Sequence, residues 1–150
     1  MTRAELQAAV IEMSDLLPFN RLLGLRVERF DTAGVEVGFD MRPELIGNVA
    51  KQILHGGVIS ATLDFAGGLT ALGTILAEAD FDSLDDIGRL FAGFGTIDLR
   101  VDYLRPAAGE RFAATGVALR VGRRVAVTRM EMHDDHGRLL AAGTGTYITG

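Results

Sequence analysis

A chain of 150 residues, 48% hydrophobic and 23% charged, has the size and make-up of one ordinary globular domain with its own core, which excludes a disordered chain. Its 20 acidic residues against 15 basic ones leave a formal net charge of −5, which disfavours non-specific binding to nucleic acid. The absence of cysteine removes disulfides and thiolate metal sites and suits a reducing compartment, and the start of the chain, with Glu5 and Glu12, lacks the apolar core of a signal peptide. The expectation is one soluble, cytoplasmic domain over residues 1–150.

Residues 3–17 carry Leu6, Ala9, Val10 and Met13 at helical spacing, with Thr2 as N-cap and Glu5 as its capping-box partner. Pro18 stops that helix. Residues 19–25 mix apolar and basic side chains around Gly24, as a turn or short helix ending an N-terminal helical segment over 1–24. Residues 25–30 and the cleanly alternating 35–41 flank a turn at 31–34 and predict a hairpin. Residues 42–55, with Pro43, Gly47 and Asn48 and no periodicity, read as a loop delivering the chain to the next helix.

That helix is predicted over 57–78 and is almost wholly small or apolar. Asp64 is its only charged residue before Glu78, and an ionised carboxylate there is costly unless it is paired, hydrogen-bonded or used. Length alone would let 56–77 cross a membrane. A central aspartate costs about 2.5–3.5 kcal/mol on the insertion scale. Together with five glycines in the same stretch, that favours a helix buried under a sheet and no membrane. Gly67, Gly68 and Gly73 each cost up to about 1 kcal/mol against alanine, which implies close approach of another backbone, from the sheet or from a second copy of the helix.

Residues 79–95 form an acidic connector with a short helix from Ser83. Residues 96–103 alternate strictly, apolar at odd positions and charged at 98, 100 and 102, until Arg105-Pro106 ends the strand. Residues 111–121 and 123–133 flank a Gly122-Arg123 turn, and 139–149 make the last strand after a turn at 134–137. Consecutive strands around one all-apolar helix imply an α+β fold, in which an antiparallel sheet of five or six strands buries its inner face on that helix.

Asn48, the run Leu54-His55-Gly56-Gly57-Val58 with Asp64 nine residues after the histidine, and the segment 95–106 ending Tyr103-Leu104-Arg105-Pro106 resemble hotdog-fold acyl-CoA thioesterases of the PaaI-like branch. The segment 137–147 resembles that family's last strand. The resemblance implies a central helix wrapped by a curved sheet, dimerised edge to edge and often paired again into tetramers. It implies hydrolysis of an acyl- or aroyl-CoA, with no cofactor beyond the coenzyme A of the substrate. The backbone N–H of Gly56 would polarise the thioester carbonyl, Asp64 would act as nucleophile or general base, Asn48 would support them, and the Thr96 hydroxyl would help to position water.

The residues carry part of this chemistry themselves. A helix start offers unpaired N–H groups with partial positive charge, and glycines there, Gly56 and Gly57, let a carbonyl approach closely. Eight residues separate Gly56 from Asp64, about 12 Å along a helix. One carbonyl carbon cannot lie within about 3.5 Å of both. If both act on one substrate, they come from different subunits of a dimer. His55 is expected to line the site, and Phe65, Leu69, Phe91 and Phe94 to wall the acyl pocket. Arg100, Arg105, Arg123 and Arg124 are candidates for the coenzyme A phosphates, since a guanidinium matches phosphate geometry.

Each residue also has an ordinary role. His55 could cap the helix start, Ser60 or Thr62 could satisfy Asp64, Asn48 could close an Asx turn, Thr96 could simply begin a strand, and the arginines could be solvated. His133 and His136 lack a third ligand, so a solvated hairpin tip is preferred to a metal site. Two other functions remain open to these residues, an acyl-thioester hydratase on the same fold and a non-catalytic acyl-CoA sensor. His-Gly-Gly favours hydrolysis, and residues 1–24 are too short and acidic for a DNA-binding helix-turn-helix.

Overall fold

The computed structural model describes residues 2–31, 34–78, 81 and 83–149. The expected capping box opens helix α1 (Arg3–Leu16): the Glu5 N–H donates to the Thr2 hydroxyl at 3.2 Å, and the Thr2 N–H donates to the Glu5 carboxylate at 2.7 Å. Two donors that a helix start would leave orphaned are thereby satisfied. Pro18, at a first helical position where its missing N–H costs nothing, opens α2 (Pro18–Leu23), and Gly24 closes it in a left-handed conformation at φ 73°.

The predicted hairpin is β1 (Arg26–Asp31) paired with β2 (Gly34–Asp40). Thr32 and Ala33 of its turn lie outside the described residues, as do Ala79, Asp80 and Asp82 of the acidic connector. The segment read as a loop is more ordered than expected. A single 3-10 turn (Pro43–Leu45) leads into β3 (Ile46–Asn48), which pairs with β4 (Ile53–Leu54). Strands of three and two residues are too short to leave a periodicity. Their order comes from hydrogen bonds, His55 N–H to the Leu45 carbonyl at 2.8 Å and Lys51 N–H to the Asn48 side-chain oxygen at 3.1 Å.

The central helix α3 (Gly56–Glu78) is followed by α4 (Leu84–Gly93), whose start is capped by Ser83 and Asp86. Strands β5 (Gly95–Tyr103), β6 (Arg111–Val121), β7 (Val125–Asp134) and β8 (Leu139–Ile148) complete the chain. The main sheet is antiparallel throughout, in the order β1-β2-β6-β7-β8-β5. Val58, Leu63, Ala66 and Leu69 of α3 form the core with Phe39, Phe112, Met130 and Met132 of the sheet. The buried hydroxyls of Thr62 and Thr70 donate to the carbonyls one turn earlier, Val58 at 2.8 Å and Ala66 at 2.7 Å, so burying them leaves no donor unsatisfied. Among the described residues α3 is the one helix long and apolar enough to span a membrane, and its place in this core accounts for that composition.

Two expectations change in detail with the packing. Within the chain, the glycines of α3 admit side chains of the sheet and not its backbone. A Cβ on Gly67 would stand 2.3 Å from the Tyr147 hydroxyl and 2.7 Å from the Met130 sulfur, and one on Gly73 would stand 3.1 Å from the Phe30 ring. The alternation of β5 is also not strict. Its register against β8 slips between Thr96 and Asp98, leaving Ile97 without a partner and 58% exposed. Strict alternation would put Thr96 on the outer face with Asp98 and Arg100. The slip sets it opposite Tyr147, on the inner face with Leu99 and Val101.

Candidate active site

That slip delivers a hydroxyl to Asp64, the one carboxylate in α3 before its last residue. Thr96 Oγ1 donates to the Asp64 carboxylate, at 2.9 Å to Oδ1 and 3.2 Å to Oδ2. Neither hydroxyl suggested by the sequence takes this role, since Thr62 bonds to Val58 and Ser60 to the Gly57 carbonyl at 3.1 Å. A buried tyrosine fixes the backbone at the same point. Tyr147, 1% exposed, donates its hydroxyl to the Asp64 carbonyl at 3.0 Å, and its ring stacks on Phe94 at 5.6 Å. Burial, and after it the negative charge of Asp64, push the Tyr147 hydroxyl well above the ordinary tyrosine range, so it stays a donor at any physiological pH.

Tyr147 was not among the residues singled out from the sequence. Its signal was there in the glycines that make room for it, Gly67 in α3 and Gly145 two residues before it. A Cβ on either would lie 2.3 Å from its oxygen.

Asp64 and Thr96 open onto a cavity of about 410 Å³. Phe65, Leu69, Phe91 and Phe94 line it, and Leu72 and Gly68 extend its wall along α3. The corner between α1 and α2 is an addition: Leu17, Pro18 and Phe19 cover one side, with Phe19 57% exposed. Apolar residues on both sides of a helix-breaking proline were the available sign.

The other half of the expected site lies at the start of α3. The Gly57 N–H donates to His55 Nδ1 at 2.8 Å, so His55 caps the helix and occupies one of the two glycine amides. The Gly56 N–H, at the first position of the helix, belongs to the set with no intrahelical acceptor. The Tyr103 hydroxyl holds the Gly56 carbonyl at 3.1 Å. Gly47 packs against His55, and the neighbouring Asn48 is exposed and closes the β3–β4 turn, the Asx role.

The structure thus gathers two groups within one chain and keeps them apart. His55, Gly56 and Gly57 rest by Tyr103 at the end of β5, while Asp64 and Phe65 lie near Thr96 at its beginning. The four arginines do not converge. Arg100 points outward and pairs with Asp102 at 3.1 Å, Arg105 donates to the Leu139 carbonyl at 2.8 Å, and Arg123 and Arg124 are exposed in the β6–β7 turn. His133 lies 3.8 Å from Glu131, and the His136 N–H donates to Asp134. Among the described residues no three His, Cys, Asp or Glu side chains stand together as a metal site would require.

Residues 51–141, which carry His55, Asp64 and Thr96, match the family described as the thioesterase superfamily. The chain belongs to the thioesterase superfamily. It is 46% identical over 134 residues to the medium/long-chain acyl-CoA thioesterase YigI of Escherichia coli K12, covering 89% of this chain and 86% of that one. A solved Shewanella oneidensis protein related to the thioesterase superfamily superposes with a TM-score of 0.93 at 49% identity, covering 98% of this chain and 97% of that one. A Syntrophus aciditrophicus structure does so with a TM-score of 0.85 at 36% identity, with the same coverage. This thioesterase therefore has the hotdog architecture, a sheet closed over one long helix, and is a thioester-hydrolysing enzyme.

Proposed function

We propose that this thioesterase hydrolyses medium- or long-chain acyl-CoA in the cytoplasm, within the PaaI-like branch of the family, with Asp64 as nucleophile or general base. The observation that carries the reading is the Asp64 carboxylate, held by Thr96 and opening onto a mostly apolar cavity. A cavity of this size falls in the range that takes a small-molecule ligand. Its aliphatic and aromatic lining, with one carboxylate, suits a hydrocarbon tail ending in a reactive carbonyl.

Asp64 either adds to the thioester carbonyl carbon or takes a proton from a water that does so, with Thr96 orienting the carboxylate. The developing oxyanion is stabilised by a backbone N–H at a helix start, which carries partial positive charge and needs no reorganisation. Collapse breaks the C–S bond and expels the coenzyme A thiolate, and in the covalent route water then frees the acid from Asp64. The chemistry draws on protein groups and the substrate's own coenzyme A, with no further cofactor.

The helix-start donor is Gly56 of the partner subunit. Gly56 and Asp64 of one chain lie against opposite ends of β5, which is the edge of the sheet and exposes Ile97 and Tyr103. Pairing two β5 strands antiparallel about their midpoint sets the Thr96 end of one beside the Tyr103 end of the other, which completes two sites per dimer. Val117 and Leu119, both 59% exposed on β6, support a second contact between dimers. For the coenzyme A phosphates, the exposed Arg123 and Arg124 are better placed than Arg105, whose guanidinium is engaged.

The test is thiol release from a series of acyl-CoAs by the purified protein and by Asp64→Ala and Asp64→Asn. Loss by at least about a hundredfold in both variants supports the reading. Tight acyl-CoA binding without any thiol release would leave a sensor in its place.

A further inference from the structure

The α3 wall of the cavity consists of Ala61, Asp64, Phe65, Gly68, Leu69 and Leu72, spaced three or four apart and so on one helix face. Asp64 lies near one end, and the wall residues beyond it, Phe65, Gly68, Leu69 and Leu72, are apolar. Midway stands Gly68. Nothing in the folding of the chain asks for glycine there. It is not among the positive-φ glycines, and glycine weakens a helix interior relative to alanine. A Cβ on it would meet the Phe94 ring at 3.4 Å and the Tyr147 ring at 3.7 Å, which are ordinary contacts. Its neighbour Gly67 differs, being crowded by the Tyr147 oxygen at 2.3 Å. What a side chain on Gly68 would take up is cavity.

We propose that Gly68 is the length-determining residue of this enzyme, keeping open a channel along α3 from Asp64 to Leu72 that holds the acyl tail. The eight residues from Asp64 to Leu72 span about 12 Å at the helical rise. An extended chain advances about 1.25 Å per carbon, given single bonds of about 1.5 Å. The channel therefore accommodates about ten carbons by these lengths. Each methylene buried raises affinity about fourfold, so specificity climbs with chain length until the tail passes Leu72. This inference rests on the acyl-CoA reading above.

Straight-chain CoA thioesters from butanoyl to hexadecanoyl test it, with thiol release read on the wild type, Gly68→Ala and Gly68→Val, and calorimetric binding read on the same set in an Asp64→Asn background. Wild-type kcat/KM is expected to rise to decanoyl-CoA and then level off. Gly68→Val should lose at least about thirtyfold on decanoyl-CoA, as several methylenes are shut out, and stay within about threefold on butanoyl-CoA. Gly68→Ala should fall between and keep or exceed the wild-type Tm, which separates a blocked channel from a damaged fold. A uniform loss across all lengths, or a decanoyl optimum unmoved by valine, overturns the channel. Binding that climbs to decanoyl-CoA without thiol release would keep the channel and remove the hydrolysis. Hydrolysis without length dependence would do the reverse.

Discussion

The pair Gly67 and Gly68 offers a stringent test of how α3 sits on the sheet, because one added methyl group should have opposite effects at adjacent positions. In Gly67→Ala the new Cβ would lie 2.3 Å from the Tyr147 oxygen, 2.7 Å from the Met130 sulfur and 2.8 Å from the Thr128 hydroxyl. None of these is the free end of a surface chain. Tyr147 is held by its bond to the Asp64 carbonyl and its stack on Phe94, and Thr128 and Met130 are fully buried. Overpacking of this kind costs about 1–3 kcal/mol. Replacing glycine in a helix returns up to about 1 kcal/mol. The net loss of up to about 2 kcal/mol lowers Tm by up to about 8 °C for a chain of this size. Gly68→Ala keeps the helical gain without the clash and raises Tm or leaves it unchanged. Scanning calorimetry at one fixed protein concentration decides between these signs. Thiol release should fall with Gly67→Ala as well, since Tyr147 is displaced from the backbone of Asp64. If Gly67→Ala melts at or above Gly68→Ala, the tyrosine does not fill the space under α3, and its assignment as the support of Asp64 goes with it.

Thr96→Val removes a hydroxyl bond to a charged group, worth about 1.5–3 kcal/mol, so kcat should drop at least about tenfold with KM little changed, while Thr96→Ser restores most of it. Steady-state kinetics of the three forms would refute the role if valine and serine behave alike. Ile97→Asp places a charge on the exposed edge of β5 and is expected to lower hydrodynamic mass and turnover together, as light scattering beside the thiol assay would show. A monomer with undiminished turnover contradicts a shared site. Asp134 supplies a pH signature: burial alone would raise its carboxyl, but the N–H of Arg138, the Arg138 guanidinium at 2.7 Å and the N–H of His136 together hold it below the ordinary aspartate range. A depressed carboxyl contributes stability above its unfolded value, near 3.9, and loses it as pH falls through the folded one. Asp134→Asn should therefore melt lower than wild type at neutral pH, with the gap closing below about pH 4. A gap that is constant down to strongly acidic pH would show that the charge is irrelevant.

The fold was readable because its largest signals are periodic. The apolar length of α3, the proline at residue 18, the Thr2 cap and the alternating strands all act through local backbone and burial preferences that a single chain displays. What escaped depended on atoms far apart in sequence. The β3–β4 ladder is too short for a pattern, and the slip at Ile97 is invisible in an alternation that looks perfect. The hydroxyls near Asp64 in sequence, Ser60 and Thr62, are not its partner, which lies 32 residues later, at Thr96. The arginines illustrate the converse limit. Residue type made all four candidates for the phosphates, but Arg100 is paired outward and Arg105 is spent on a main-chain carbonyl, and neither fact is encoded nearby.

The slip in β5 also means that the site depends on reading frame as much as on composition. Straightening β5 into an unbroken ladder with Ile97 kept in it would leave Asp64, Thr96, Tyr147, His55 and Gly56 all in the chain, yet it would turn Thr96 to the outer face and leave the carboxylate without its hydroxyl. Deleting Ile97 would instead keep Thr96 opposite Tyr147. Grafting this constellation onto another antiparallel sheet would accordingly fail if the native spacing from Thr96 to Leu99 were copied onto a regular ladder. The irregularity at Ile97 has to travel with that spacing, or the spacing has to be shortened by one residue.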